Sequence, residues 1–161
     1  VTETMKAAFY DEPQVSITIN LLPQLISNGI FIPQKVVVGF ELASTKYETK
    51  DGLLSKIKES KHLCDVINLD TLKPISKENI ICTKECLLTH EVDEKMQTYF
   101  STTIHIYKDN ILGENMSSLN MPKKMKFDKK LLKGDCISFD YEFIKEPRIK
   151  YTRKEEKKKV Q

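Results

Sequence analysis

Residues Cys136–Phe143 read Cys-Ile-Ser-Phe-Asp-Tyr-Glu-Phe, and this stretch decides the fold. Ile137, Phe139, Tyr141 and Phe143 alternate with Ser138, Asp140 and Glu142. That is the two-residue period of a strand with one face in a core and the other in water. The same period recurs at Val15–Leu21 and again at Thr102–Lys108, where Ile104 and Ile106 share a face. Val36–Leu42 is apolar on both faces and is expected to be a central strand. Ala7–Tyr10, Leu63–Leu69, Asn79–Thr83 and Ile149–Thr152 are weaker strand candidates. One segment predicts a helix and another reads either way. Leu53–Ser60 follows Asp51-Gly52 with a short apolar stripe; Cys86–Phe100 repeats Leu88, Val92, Met96 and Phe100 every four residues, which favours a helix, while β-type residues take over after Tyr99 and leave a strand open. Turn residues at Glu12-Pro13, Asn28-Gly29, Asp51-Gly52 and Lys133-Gly134-Asp135 punctuate the chain. Together these features predict a mainly β fold: an antiparallel β-sandwich or partly open β-barrel with one or two short helices.

The 161 residues suffice for one domain that buries its own core. The boundaries expected are a single β-rich domain over residues 1–152 and a charged, disordered tail over 153–161. No apolar run approaches the roughly 20 residues that span a bilayer, so no membrane partner is expected. The first residue is Val1, and the chain reads as an excerpt of a longer protein. Cys64, Cys82, Cys86 and Cys136 are too sparse for a disulfide scaffold. They are read as reduced, buried thiols of an intracellular protein, cytoplasmic or nuclear.

Nothing in the chain carries a nucleotide-binding or catalytic signature. Five glycines leave little room for a glycine-rich phosphate cradle. Cys82, Cys86 and His90 have four-residue spacing, which would place them on one face of a helix, yet no second ligand pair follows to complete a zinc set. Cys86 or Cys136 could be paired on paper with His62, His90 or His105, but no local pattern orients such a pair. The expectation is a non-enzymatic domain with no cofactor, no metal and no small-molecule substrate.

Charge is divided by position. Residues 123–161 hold 14 Lys/Arg against 7 Asp/Glu, whereas residues 1–122 hold 12 against 16. Lys123, Lys124, Lys126, Lys129, Lys130 and Lys133 crowd together with Phe127 among them. Such amines could track a phosphate backbone while Phe127, Tyr141 or Tyr151 offers a stacking face. Lysine outnumbers arginine 24 to 2, so contact with an anion would sense charge rather than read bases. A second candidate surface is apolar: Pro23–Pro33 carries Leu25, Ile26, Ile30, Phe31 and Ile32 around Asn28-Gly29. Most of these are expected in the core at a sheet corner. Ile30, Phe31 and Ile32 would form a patch for a protein partner if exposed. The functional expectation is therefore an interaction domain that binds a protein or peptide, with a sequence-tolerant nucleic-acid-binding barrel as the alternative.

Overall fold

A computed structural model describes residues 7–45, 57–90, 92, 95–113 and 116–154. The fold is mainly β, with antiparallel pairing throughout both sheets. Among the described residues a short helix, α1 (Gln14–Leu21), precedes eight strands: β1 (Lys35–Thr45), β2 (Ile57–Asp70), β3 (Glu85–Leu87), β4 (Met96–Tyr107), β5 (Asn110–Leu112), β6 (Lys123–Lys124), β7 (Cys136–Glu142) and β8 (Arg148–Lys154). The larger sheet runs β2-β1-β4-β5, with β6 also pairing β4; the smaller runs β3-β7-β8. The sheets do not close into a barrel, so the architecture is an open sandwich.

The alternation in Cys136–Phe143 is realised as predicted. Ile137, Phe139 and Tyr141 are buried, while Asp140 between them is exposed. Phe139 joins the layers: its ring meets Phe40 of β1 at 5.3 Å and Phe100 of β4 at 6.2 Å, both edge-to-face. Val36–Leu42 lies inside β1 between β2 and β4, the central position its apolar faces predicted. Gly39 sits where β1 shifts register against β2, and a Cβ there would come within 2.7 Å of the Ser101 hydroxyl and 2.9 Å of the His62 ring. Glycine is required at this position by close approach of the neighbouring strands.

Several expectations fail, each for a local reason. Val15–Leu21 is helical rather than extended. The buried positions are Gln14, Val15 and Thr18, a helical spacing, and Leu21 is exposed. Thr18 donates its hydroxyl to the Gln14 carbonyl at 2.8 Å, a bond that lets a β-branched residue sit comfortably in a helix. Ala7–Tyr10 begins with a 3-10 turn at Ala7–Phe9, not a strand. Cys86–Phe100 is not a helix: Cys86 and Leu87 belong to β3, and Met96–Phe100 open β4. Leu88 is nonetheless fully buried, because its N–H bonds Asp135 and its carbonyl accepts from Gly134, both at 2.8 Å, extending the β3-β7 pairing. Of the Leu53–Ser60 helix, Ile57–Ser60 lies in β2 and the remainder falls outside the described residues. Asn79–Thr83 contributes only an isolated bridge from Ile81 to Ile67. β8 reaches Lys154, so Arg153 and Lys154 of the expected tail are strand residues, whereas 155–161 lie outside the described residues.

Candidate functional site

The lysine-rich segment is laid along the sandwich by its apolar members. Lys123 and Lys124 pair with Phe100 and Tyr99 of β4 as β6. Met125 is buried, and its N–H bonds the Thr98 carbonyl at 2.9 Å. The Lys126 N–H then donates to the Tyr151 hydroxyl of β8 at 3.0 Å, and Phe127 leans on the Tyr151 ring at 5.2 Å. Tyr151 in turn meets Phe100 at 5.7 Å, so a chain of rings runs from the core to the segment. Leu131 is buried beyond it. Alternation of apolar anchors with lysines thus holds the chain down while Lys124, Lys126, Lys129 and Lys130 stay exposed.

Three open clefts border this segment. One of about 440 Å³ lies between Lys126–Lys129 and Tyr151–Arg153. A second, of about 250 Å³, is lined by Tyr10, Lys123, Lys124 and Lys126 and shares Tyr151 with the first. A third of about 180 Å³ includes Lys124, Phe127, Lys129 and Lys130. The Lys123 ammonium sits over the Tyr10 ring, a cation–π arrangement. Lys133 occupies the turn at Gly134, whose φ of +94° favours glycine, and lines none of these three clefts. The fold therefore gathers Lys123, Lys124, Lys126, Phe127, Lys129 and Lys130 and leaves Lys133 aside. Tyr141, a sequence candidate for stacking, is buried in the core. Tyr10 was not legible as a site residue, because it lies more than a hundred positions from the lysines and only folding brings it there.

Four other basic residues of this end form ion pairs. Arg148 and Lys150 both pair with Glu142, at 2.9 and 3.2 Å; Arg153 pairs with Asp135 at 2.8 Å, and Lys154 with Glu85. Their charge is offset in part where it stands. The larger cleft holds Lys126 and Lys129 together with one acid, Asp128.

The apolar candidate is more open than expected. No residue from 23 to 33 is fully buried. Ile26, Ile30 and Ile32 are 75%, 54% and 58% exposed, and Phe31 is half-buried. Gln34, two residues on, fastens this corner to one end of the larger sheet. Its carbonyl accepts from the Thr71 N–H and hydroxyl, each at 2.8 Å, and its N–H bonds the His105 carbonyl at 2.9 Å. Leu72, next to Thr71, and Ile111, paired with His105, are both exposed.

The cysteines are all free, but only Cys86 is fully buried, and Cys82 is exposed. The neighbouring Cys86 thiol, with burial, pushes Cys64 up from the ordinary thiol range. The same neighbour, Cys64, lowers Cys86 against the opposing effect of burial. Histidines stand elsewhere. His62 Nε2 is 3.1 Å from Asp65, its Nδ1 is 3.6 Å from Glu41, and the His90 ring meets the Thr89 hydroxyl. The helix that would have aligned Cys82, Cys86 and His90 does not form, and among the described residues no three potential ligands converge on a metal-sized site. Cys64, Cys86 and Tyr141, the groups with shifted proton affinity in the interior, line none of the clefts described above. No helix among the described residues is long and apolar enough to cross a membrane. Comparison with known protein families, with curated proteins and with solved structures finds no match to this chain.

Proposed function

We propose that this chain is a non-enzymatic interaction domain whose apolar corner, centred on Ile26, Ile30 and Ile32, takes an apolar segment of a partner protein. The observation that carries this reading is the exposure of these three isoleucines, each more than half open to solvent. A single exposed aliphatic side chain is ordinary, but three within one seven-residue stretch form the kind of patch that marks a protein contact. Covering them stabilises a complex by roughly 25 cal/mol for each Å² of apolar area removed from water. An apolar contact of this kind depends little on salt.

The test is site-specific photo-crosslinking of the full chain in cell extract, with the reactive residue placed at Ile26 or at Ile32. One discrete adduct is expected, unchanged between about 50 and 500 mM salt, across which surface charge contacts fade. It should disappear when Ile30→Asp is added. Equal labelling from a reactive residue at Lys61, on the exposed face of β2, would refute the reading. An adduct of the chain with itself would identify the partner as a second copy.

A further inference from the structure

We infer that the groove bounded by Lys124, Lys126 and Lys129, and lined by the rings of Tyr151 and Phe127, is a binding site for single-stranded nucleic acid. It is separate from the apolar corner and does not depend on it. The two larger clefts adjoin through Lys126 and Tyr151, so lysines and rings line one continuous path that includes Lys124, Lys126, Tyr151, Phe127 and Lys129. Single-strand sites combine these two elements, cations at backbone spacing and π faces for unpaired bases. The Tyr151 hydroxyl accepts the Lys126 N–H and so keeps its own hydrogen to donate to a phosphate oxygen.

Two competing ligands fit less well. An acidic peptide would use the lysines but leave the rings of Tyr151 and Phe127 without a role, and carboxylates are better recognised by arginine forks, absent from the groove apart from the already paired Arg153. A duplex hides its base faces, so the rings would again be idle. Without arginine or asparagine presented to base edges, the site should bind strands irrespective of sequence.

The experiment is fluorescence anisotropy with a labelled 20-nucleotide thymidine strand, with an abasic strand of the same length, and with poly-glutamate as competitor. Three phosphate contacts on a single strand give a log–log salt slope of about −2, so raising salt from about 50 to 200 mM should weaken binding roughly 20-fold. Lys124→Gln with Lys126→Gln should flatten that slope by about 1.4, since each lost contact removes about 0.7. The same change at the exposed Lys61 and Lys77 should leave it unaltered. The thymidine strand should bind about tenfold or more tighter than the abasic strand, corresponding to stacking of at least one base. All four substitutions are at surface positions and leave the core intact. No binding at low salt would overturn the inference. So would equal loss from the Lys61/Lys77 pair, equal affinity for the abasic strand, or equal competition by poly-glutamate, each of which describes a general cation exchanger.

Discussion

Tyr141 illustrates how a single polar atom can be carried at a cost. Its ring packs against Phe143 at 4.9 Å, but the hydroxyl is buried without a hydrogen-bond partner. An unpaired buried hydroxyl is unfavourable, so Tyr141→Phe is expected to leave stability unchanged or raise it by about 1 kcal/mol, read from urea midpoints. Burial also pushes the phenol above its ordinary value of 10.0. The unfolded chain therefore releases this proton first as pH rises. Stability linked to it is intact below pH 10 and declines above, whereas the Phe variant lacks that part of the decline. An equal alkaline loss in both proteins would show that Tyr141 does not drive it. The thiols teach a related point. Their positions were visible in the sequence, but the approach of Cys64 in β2 to Cys86 in β3 could not be read from spacing.

At the scale of elements, the N-terminal segment is held by contacts rather than by propensity. Ala8, Phe9 and Asp11 have φ of 56°, 53° and 58°, left-handed values that L-residues reach at a cost of about 1–2 kcal/mol each. Two bonds keep them there: Ala8 N–H to the Thr102 hydroxyl at 3.0 Å, and Asp11 N–H to the Pro147 carbonyl at 2.8 Å. Thr102 is 1% exposed, so Thr102→Val would strand a buried N–H and is expected to cost about 1–3 kcal/mol. Thr102→Ser keeps the hydroxyl and should recover most of the loss. Amide exchange at Ala8 separates the outcomes, since equal protection in the Val variant would mean the bond contributes nothing. This segment matters to the groove because it presents Tyr10. The errors in reading α1 and residues 86–100 belong to the same scale. Short apolar repeats match helix and strand periods almost equally, and the decision falls to partners distant in sequence.

For the whole molecule, the aromatic chain is the main link between layers. Phe40, Phe139, Phe100, Tyr151 and Phe127 run in successive contact from β1 through both sheets to the lysine segment. Phe139→Ala would empty the middle of that chain, and truncation of a buried Phe costs about 3–5 kcal/mol. Against a typical total of roughly 5–15 kcal/mol, most of the margin would go, and a steep fall in melting temperature is expected by calorimetry. Retained stability would mean that the sheets are held together elsewhere. The two surfaces are set apart by the same frame: the lysine segment meets β4 at Tyr99–Phe100, and the apolar corner meets it at His105.

By itself, the sequence determined the β class, the central place of Val36–Leu42, the inward face of Cys136–Phe143 and the candidacy of both surfaces. These are properties of local period and composition, which the chain carries wherever it folds. Tertiary structure alone decided that residues 23–33 stay outside the core and that Lys133 stands apart from the other lysines. It also decided that Tyr10 joins them and that β8's cations pair with Glu142, Asp135 and Glu85. Each of these depends on which strands become neighbours, and pairing between residues far apart in sequence leaves no local period to read.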